Sequence, residues 1–245
     1  LAIDPLEPGA YLNLAADRIY YEYDFPGASE LLLQARKLAP RHPGVHMLMG
    51  TAASYCGRLD EALRHLDAAQ EVDPLFPAIR ANRGVAYYFA RRFDDANRVY
   101  IELLTEYPQR TSTRLSLANS LMLCGALEAA RNELNTVVEH DPTDAGARLS
   151  LAVLAARHGD LRGARKIVNA VRAQGSIERT NPSALGAAYA QLGDVDEAVN
   201  WLTQAADAHE GGFAEVQVDP MLQPLASCEA FHSMLTRRGL QWIER

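Results

Sequence analysis

Residues 50–74 read GTAASYCGRLDEALRHLDAAQEVDP, and most small or turn-forming residues in this stretch recur 34 residues away along the chain. The proline that ends the stretch shows the period most plainly, because it returns at a constant step of 34 residues. The prolines in question are Pro40, Pro74, Pro108 and Pro142. Self-similarity at a fixed period of this length predicts a chain built from one repeated structural unit.

The small residues keep the same step. We number each unit so that the proline is place 32, which starts the units at residues 9, 43, 77, 111, 145 and 179. Place 20 is then alanine in all six units, and place 8 is always Gly or Ala. Place 24 is large and apolar throughout. Place 15 is glycine except for Tyr23 and Arg91, and the glycines are Gly57, Gly125, Gly159 and Gly193.

This pattern predicts a helical hairpin. Two stretches of about 12–14 residues carry apolar residues at helical spacing. The place-15 glycine supplies the left-handed residue that ends the first helix, and the place-32 proline stops the second. Small residues at places 8 and 20 let the two backbones approach closely. Because one such hairpin cannot bury its own apolar stripe, the units are expected to stack on one another.

A 34-residue helix–turn–helix with these small residues, glycine and proline resembles the tetratricopeptide repeat over residues 9–212. The resemblance implies an all-α protein, a right-handed α-α superhelix (TPR solenoid) of about six helix-turn-helix repeats with a C-terminal capping helix. The aromatic residue that the family prefers at place 4 is missing. That place holds Leu12, His46, Arg80, Arg114, Arg148 and Pro182.

The flanking residues extend this domain organisation. Residues 1–8 resemble the end of a preceding repeat or a linker, so we expect a fragment of something longer. Asn181 and Pro182 are typical of an N-cap and a first helical position, so a longer loop is expected before unit six. Residues 213–245 are expected to form a capping tail, in which Phe231, Met234 and Leu235 share one helical face and cover the last repeat.

The tail carries a second resemblance. Residues 219–240 follow the pattern D-P-x-x-x-P-L-x-x-x-x-x-F-x-x-x-L-x-x-x-G-L. This pattern is similar to the ending of bacterial signalling proteins whose C-terminal half is a tetratricopeptide array. Those proteins carry an N-terminal winged-helix DNA-binding domain, a nucleotide cyclase or a kinase domain. The resemblance implies a C-terminal regulatory region and leaves the N-terminal domain open.

Composition excludes several function classes. The net charge of −7 provides no positive field for a phosphate backbone, so direct binding of nucleic acid is not expected. No apolar run reaches the roughly 18–20 residues of a membrane span. Cys56 and Cys124 share place 14 two units apart, too far for a disulfide, and Cys228 lies in the tail. An odd cysteine count without a framework favours a cytoplasmic location.

The sequence holds no familiar catalytic, phosphate-binding or zinc-protease motif, so we expect no enzyme activity and no cofactor. His42 and His46 lie at helical i,i+4 spacing, but no cysteine or carboxylate joins them at ligand spacing, and no metal site is expected. Neighbouring acids such as Asp60 and Glu61 open second helices, where they favour the helix dipole.

In tetratricopeptide arrays the concave groove is lined by the first helices, and the resemblance assigns places 2, 5, 9, 12 and 13 to it. The candidate partner-binding residues at these places are Asn13, Asp17, Tyr20, Tyr21, Met47, Thr51, Tyr55, Val85, Tyr88, Phe89, Leu115, Asn119, Met122 and Leu123. Places 12 and 13 form an aromatic and apolar stripe, which either binds a partner or packs between helices. Neither the carboxylate clamp nor the asparagine ladder of the family is present.

Place 4 carries a basic ladder of His46, Arg80, Arg114 and Arg148. Either these heads reach nearby acids of the same chain, or they contact an acidic partner. The predicted function is therefore a protein-interaction or sensory module that binds a protein or peptide in its groove, with self-association also open. The alternative is a regulatory or accessory domain of an enzyme that holds a small molecule in the aromatic groove, which a preformed pocket with convergent polar groups would favour.

Overall fold

The computed structural model describes residues 7–173 and 181–244, which hold thirteen α-helices and no strand. The first helices of the six units are α1 (Pro8–Asp17), α3 (Pro43–Tyr55), α5 (Pro77–Phe89), α7 (Thr111–Leu123), α9 (Ala145–Arg157) and α11 (Pro182–Gln191). The second helices are α2 (Phe25–Leu38), α4 (Leu59–Val72), α6 (Phe93–Glu106), α8 (Leu127–His140), α10 (Leu161–Arg172) and α12 (Val195–Asp207). The predicted all-α solenoid is confirmed.

Helix boundaries follow the residues that the sequence places there. Asn181 caps α11, because its side-chain oxygen accepts a hydrogen bond from the Ala184 amide at 3.2 Å, and a proline follows at the first helical position. Acidic pairs such as Asp60 and Glu61 occupy the first turn of second helices, next to the positive end of the helix dipole. The predicted loop before α11 and residues 1–6 lie outside the described residues.

Place 15 ends the first helix in a left-handed conformation in every unit. The four glycines there have φ between +69° and +87°. Tyr23 and Arg91 occupy the same place with φ of +59° and +58°, a region that a bulky side chain enters only at a cost in free energy. Just before Tyr23, a π-helical turn (Arg18–Glu22) continues α1.

Close packing inside each hairpin explains the small residues. The place-20 alanines are fully buried in all six units. At place 8 a Cβ added to Gly84 would lie 2.3 Å from the ring of Tyr100, which is the place-24 residue of the same unit. Leu66 and Leu202 would meet a Cβ at Gly50 and Gly186 in the same way. In these three units places 8 and 24 therefore form a close contact between the two helices.

The tail has two parts. Helix α13 (Glu229–Thr236) packs against α12, and its Phe231, Met234 and Leu235 are fully buried. Before it, two 3-10 turns (Gly211–Glu215 and Pro220–Leu225) return along the concave side of the array. We call residues 211–225 the inner tail.

The inner tail joins the two ends of the array. Its first turn contacts the π-helical turn of unit one, and its second turn packs on α11 of unit six. Tyr23 packs against Phe213 with ring centroids 4.9 Å apart, and its hydroxyl donates to the carbonyl of Glu210 at 3.0 Å. In the described part of the chain, every helix is too short or too polar to cross a bilayer.

Candidate interaction groove

The predicted stripe at places 12 and 13 is largely continuous. Tyr20 and Tyr55 make an edge contact with ring centroids 6.2 Å apart, and Tyr55 makes the next one with Phe89 at 5.7 Å. Tyr88 and Met122 are buried beside them, and Leu123 is half-buried. Tyr21 does not join the row, because its side chain is 51% exposed.

The inner tail lies over this stripe and hydrogen-bonds to it. The hydroxyl of Tyr55 donates to Oε1 of Glu215 at 3.3 Å, and the hydroxyl of Tyr88 donates to Oδ1 of Asp219 at 3.1 Å. The side-chain amide of Gln217 donates to the carbonyl of Tyr55 at 3.0 Å. The groove of this chain therefore contains a polypeptide segment, which is its own tail.

The other face of the inner tail is apolar and belongs to the core. The buried residues of this face are Phe213, Ala214, Val216, Val218, Met221, Leu222 and Leu225. Gln191 on α11 adds a polar contact, because its amide donates to the carbonyl of Met221 at 2.6 Å. Each fully buried large side chain of this kind contributes roughly 1.5–3 kcal/mol, so the inner tail is an integral part of the fold.

Both left-handed residues that replace glycine at place 15 reach this tail. Tyr23 contacts Phe213 and the Glu210 carbonyl, and Arg91 donates a hydrogen bond to the side-chain oxygen of Gln223. Backbone strain of this kind persists where surrounding contacts compensate it. The two exceptions to the repeat pattern are thus two of the residues that hold the tail.

The remaining groove candidates differ in accessibility. Asn13 and Asp17 on α1 are exposed, whereas Met47 and Leu115 are half-buried. Thr51 is buried and its hydroxyl donates to the carbonyl of Met47 in its own helix. Val85 and Asn119 line cavities beneath the tail. Binding of a partner by these residues stays a prediction.

Two adjoining cavities remain between the inner tail and the groove. The larger, of about 190 Å³, lies between α7, α9, α11 and the tail and has Ser150 and Ser183 among its polar residues. The smaller, of about 100 Å³, lies beside Tyr88 and Tyr100. Asn119, Glu215 and Asp219 line both of them. The tail thus divides the groove into small, partly open chambers that are lined in part by carboxyl, amide and hydroxyl side chains.

The carboxyl groups of these chambers are strongly perturbed. Burial, reinforced by the charge of Asp219, raises the pKa of Glu215 to about 8. Burial also raises the pKa of Asp219, although hydrogen bonds from the Met221 amide and the Tyr88 hydroxyl oppose this. The pKa values of Tyr55 and Tyr88 lie well above the ordinary tyrosine range, first through burial and then through these carboxylates. At neutral pH Glu215 is therefore mostly protonated.

The basic ladder at place 4 is engaged largely within the chain. Nη1 of Arg80 donates to both carboxylate oxygens of Glu106 at 2.8 Å, and Arg114 pairs with Glu133. Arg148 occupies the same place and is half-buried. His46 contacts His65 across its hairpin. His42 instead caps α3, with its Nδ1 accepting from the Gly44 amide at 3.1 Å.

Occupation of the groove by the tail is the feature that sequence reasoning missed. Two signals point to it in retrospect. Glycine is replaced at place 15 by residues that reach the tail, and Glu215, Asp219 and Gln223 recur at a spacing of four, with contacts that place all three on one face of the tail. Neither signal predicts that this face of the tail contacts the groove.

Three family models described as tetratricopeptide repeat match residues 47–111, 90–147 and 183–212. Together they cover more than half of the chain, and the array described above has the architecture of that class of repeat proteins. The chain belongs to the tetratricopeptide repeat family. No curated protein matches it by sequence.

Solved structures with the same fold are distant in sequence. PilF of Pseudomonas aeruginosa has 16% identity and a TM-score of 0.59, with 86% of this chain and 96% of that chain covered. PilW, a type IV pilus biogenesis factor, has 18% identity and a TM-score of 0.61, with 85% and 97% covered. A thermophilic tetratricopeptide repeat protein from Thermus thermophilus also has 18% identity and a TM-score of 0.61, with 82% and 100% covered. At such identities the likeness concerns the fold alone.

Proposed function

We propose that this chain is a non-catalytic protein-interaction or sensory module that forms the C-terminal regulatory part of a larger bacterial regulator in the cytoplasm. Its repeat family supplies protein-interaction scaffolds. The ending of residues 219–240 supports the regulator context, because it is similar to that of signalling proteins with an N-terminal winged helix, cyclase or kinase. Cys56, Cys124 and Cys228 are free thiols, which is in keeping with a reducing compartment.

One observation carries this proposal. The groove recognises a polypeptide through side chains of successive repeats, since Tyr55, Tyr88 and Arg91 each hydrogen-bond to a different residue of the inner tail. A protein partner would use the groove rim that the tail leaves accessible. Asn13 and Asp17 are exposed there, on the helix that leads into the turn contacting the tail.

A site-specific cross-linking experiment tests the proposal. A photo-reactive residue replaces Asn13 in the intact protein in its own cells, and the matched control carries it at the exposed Lys37 on α2. We expect one protein adduct at position 13 that is absent at position 37, and loss of the regulatory output when Asn13 and Asp17 are both changed to alanine. Equal adducts at both positions, with output unaffected by the alanine changes, would contradict the proposal.

The second candidate function is a regulatory domain that binds a small cation. The two cavities favour it, because Glu215, Asp219 and Asn119 line both of them and their lining residues include no lysine or arginine. Calorimetric titration with primary amines such as 1,4-diaminobutane tests it. Binding must release a proton from Glu215 near neutral pH, so the measured heat must change with the ionisation enthalpy of the buffer, and Glu215→Gln must remove that dependence. A titration without heat in every buffer excludes this candidate.

A further inference from the structure

His46 on α3 and His65 on α4 face each other across the hairpin of unit two. Their Nδ1 atoms lie 3.4 Å apart, and their ring centroids are 5.7 Å apart with an angle of 32° between the planes. Both side chains are half-buried. The pair stands apart from the groove and is not used by the function proposed above.

Unit four holds a different pair at the same two places of the repeat. Arg114 and Glu133 occupy places 4 and 23, as His46 and His65 do in unit two, and they form an ion pair. In both units the place-4 side chain also donates to the carbonyl of the place-32 proline before it. Arg114 donates to Pro108 at 2.8 Å, and His46 donates through Nε2 to Pro40 at 2.9 Å. Unit two thus keeps the pairing of places 4 and 23 and the bond to the proline carbonyl, but it has two imidazoles where unit four has an ion pair.

The geometry of the imidazole pair matches two ligands of one metal ion. Because Nε2 of His46 carries the proton that it donates, its Nδ1 has a free lone pair when the ring is neutral. A separation of 3.4 Å is at the long limit for a hydrogen bond between two ring nitrogens. It equals the spacing of about 3.3–3.4 Å between two nitrogens on a tetrahedral Zn²⁺ with Zn–N bonds of about 2.0–2.1 Å.

The carbonyl of Pro40 holds the His46 ring in the orientation of a metal ligand. A histidine that binds a metal through one ring nitrogen ordinarily donates its other N–H to a carbonyl or carboxylate, which fixes the tautomer and the ring orientation. His46 has this arrangement. We propose that His46 and His65 form a two-histidine site for a divalent transition metal ion, Zn²⁺ in the first instance, with water in the remaining positions.

The surroundings set the strength of the site. The described residues contain no group of three or more metal-ligating side chains, so the protein supplies two ligands. Glu61 lies close enough to His65 to favour a cation, whereas Arg36 and Arg64 oppose one. The site therefore has moderate affinity and a preference for ions that imidazole suits, namely zinc, nickel and copper.

Titration of the intact chain with ZnCl₂, followed by calorimetry, tests the site. The matched control is the double variant His46→Arg with His65→Glu, which recreates the ion pair of unit four and so preserves the fold. We expect one Zn²⁺ per chain in the parent protein and at least about tenfold weaker binding in the double variant. Zn²⁺ must also raise the melting temperature of the parent and leave that of the double variant unchanged.

A second control separates this pair from the other histidines. His42→Gln removes a neighbouring imidazole on the same helix terminus, and zinc affinity must stay at the parent value. Nitrogen NMR of the parent must show that zinc shifts Nδ1 of both His46 and His65. Equal zinc binding by the parent and the double variant, no binding by the parent, or loss of binding in His42→Gln would each overturn the proposal.

Discussion

The hydroxyl of Tyr88 donates a hydrogen bond to the carboxylate of Asp219 across 131 residues of chain, at a distance of 3.1 Å. Tyr88 lies at the end of the first helix of unit three, and Asp219 precedes the second 3-10 turn of the inner tail. A residue that the repeat pattern places in an open groove is thereby made part of the core. Its ring also contacts Phe89 and Phe93 at edge geometry.

Removing the Tyr88 ring should destabilise the fold. Tyr88→Ala is expected to cost about 3–5 kcal/mol in the free energy of unfolding, as other large aromatic truncations in cores do. Tyr88→Phe keeps the ring and isolates the loss of one hydrogen bond to a buried carboxyl, for which about 1–3 kcal/mol is expected. Urea unfolding measures both. The neighbouring Tyr87→Phe is the control, and its cost should stay near zero, because Tyr87 uses its ring face to hold Arg92.

Stability should fall as the pH rises through neutrality. The pKa of Glu215 is about 8 in the folded protein against an ordinary 4.5, so the folded state holds a proton that the unfolded chain releases. This contribution is complete below the ordinary pKa and is lost as pH rises through about 8. The same direction applies to Asp219, whose pKa is also raised.

Glu215→Gln tests the origin of that pH dependence. Glutamine keeps the shape and cannot ionise, so the variant should show a flatter stability curve between the ordinary pKa of 4.5 and the raised pKa of about 8, and should exceed the parent at the alkaline end of that interval. Chemical unfolding at a series of pH values gives the comparison. A parent protein that gains stability over this interval contradicts the assignment.

The strain at Arg91 can be measured with two substitutions. Arg91→Ala removes the contact with Gln223 and keeps a side chain at a φ of +58°. Arg91→Gly removes the same contact and relieves the left-handed strain, so it should be more stable than the alanine variant by about 1–2 kcal/mol. The unfolding free energies of the two variants give this difference directly. Equal stabilities would mean that the backbone at Arg91 is unstrained.

Adding one methyl group at place 8, where it meets the side chain at place 24, should destabilise the protein. Gly84→Ala puts a Cβ 2.3 Å from the Tyr100 ring, and the overpacking is expected to cost about 1–3 kcal/mol despite the better helix propensity of alanine. Gly146→Ala in the first turn of α9 is the control, because its nearest neighbour is the Asp144 carboxylate at 3.3 Å. Thermal unfolding should separate the two variants, and similar melting temperatures would argue against the close approach.

Truncation after Gly212 tests the tail as a whole. The shortened chain would expose the ends of α11 and α12 and the stripe around Tyr55 and Tyr88, all of which the tail covers. We expect a lower melting temperature together with concentration-dependent association, because exposed apolar surface favours self-association. Calorimetry and sedimentation report the two effects. An unchanged melting curve would show that the tail is dispensable.

The amino-acid sequence by itself determined the repeat unit. Helix ends, the left-handed turn at place 15 and the close approach at places 8 and 20 depend on residues within one 34-residue unit, and local sterics decide them. Repetition of the unit then required stacking, since one hairpin leaves an apolar face uncovered. For the same reason the sequence predicts which helices carry the candidate groove residues, and binding of a partner by those residues stays a prediction.

Only the tertiary structure decided what fills the groove. The pairs Tyr55–Glu215 and Tyr88–Asp219 join residues 160 and 131 positions apart, and no local preference encodes contacts of that range. The inner tail has no repeat counterpart, and the closure that brings Tyr23 to Phe213 depends on small rotations summed over six units. The sequence identified the residues of the stripe. It did not predict their burial, because they are buried by the inner tail, and the course of the whole superhelix decides where that tail lies.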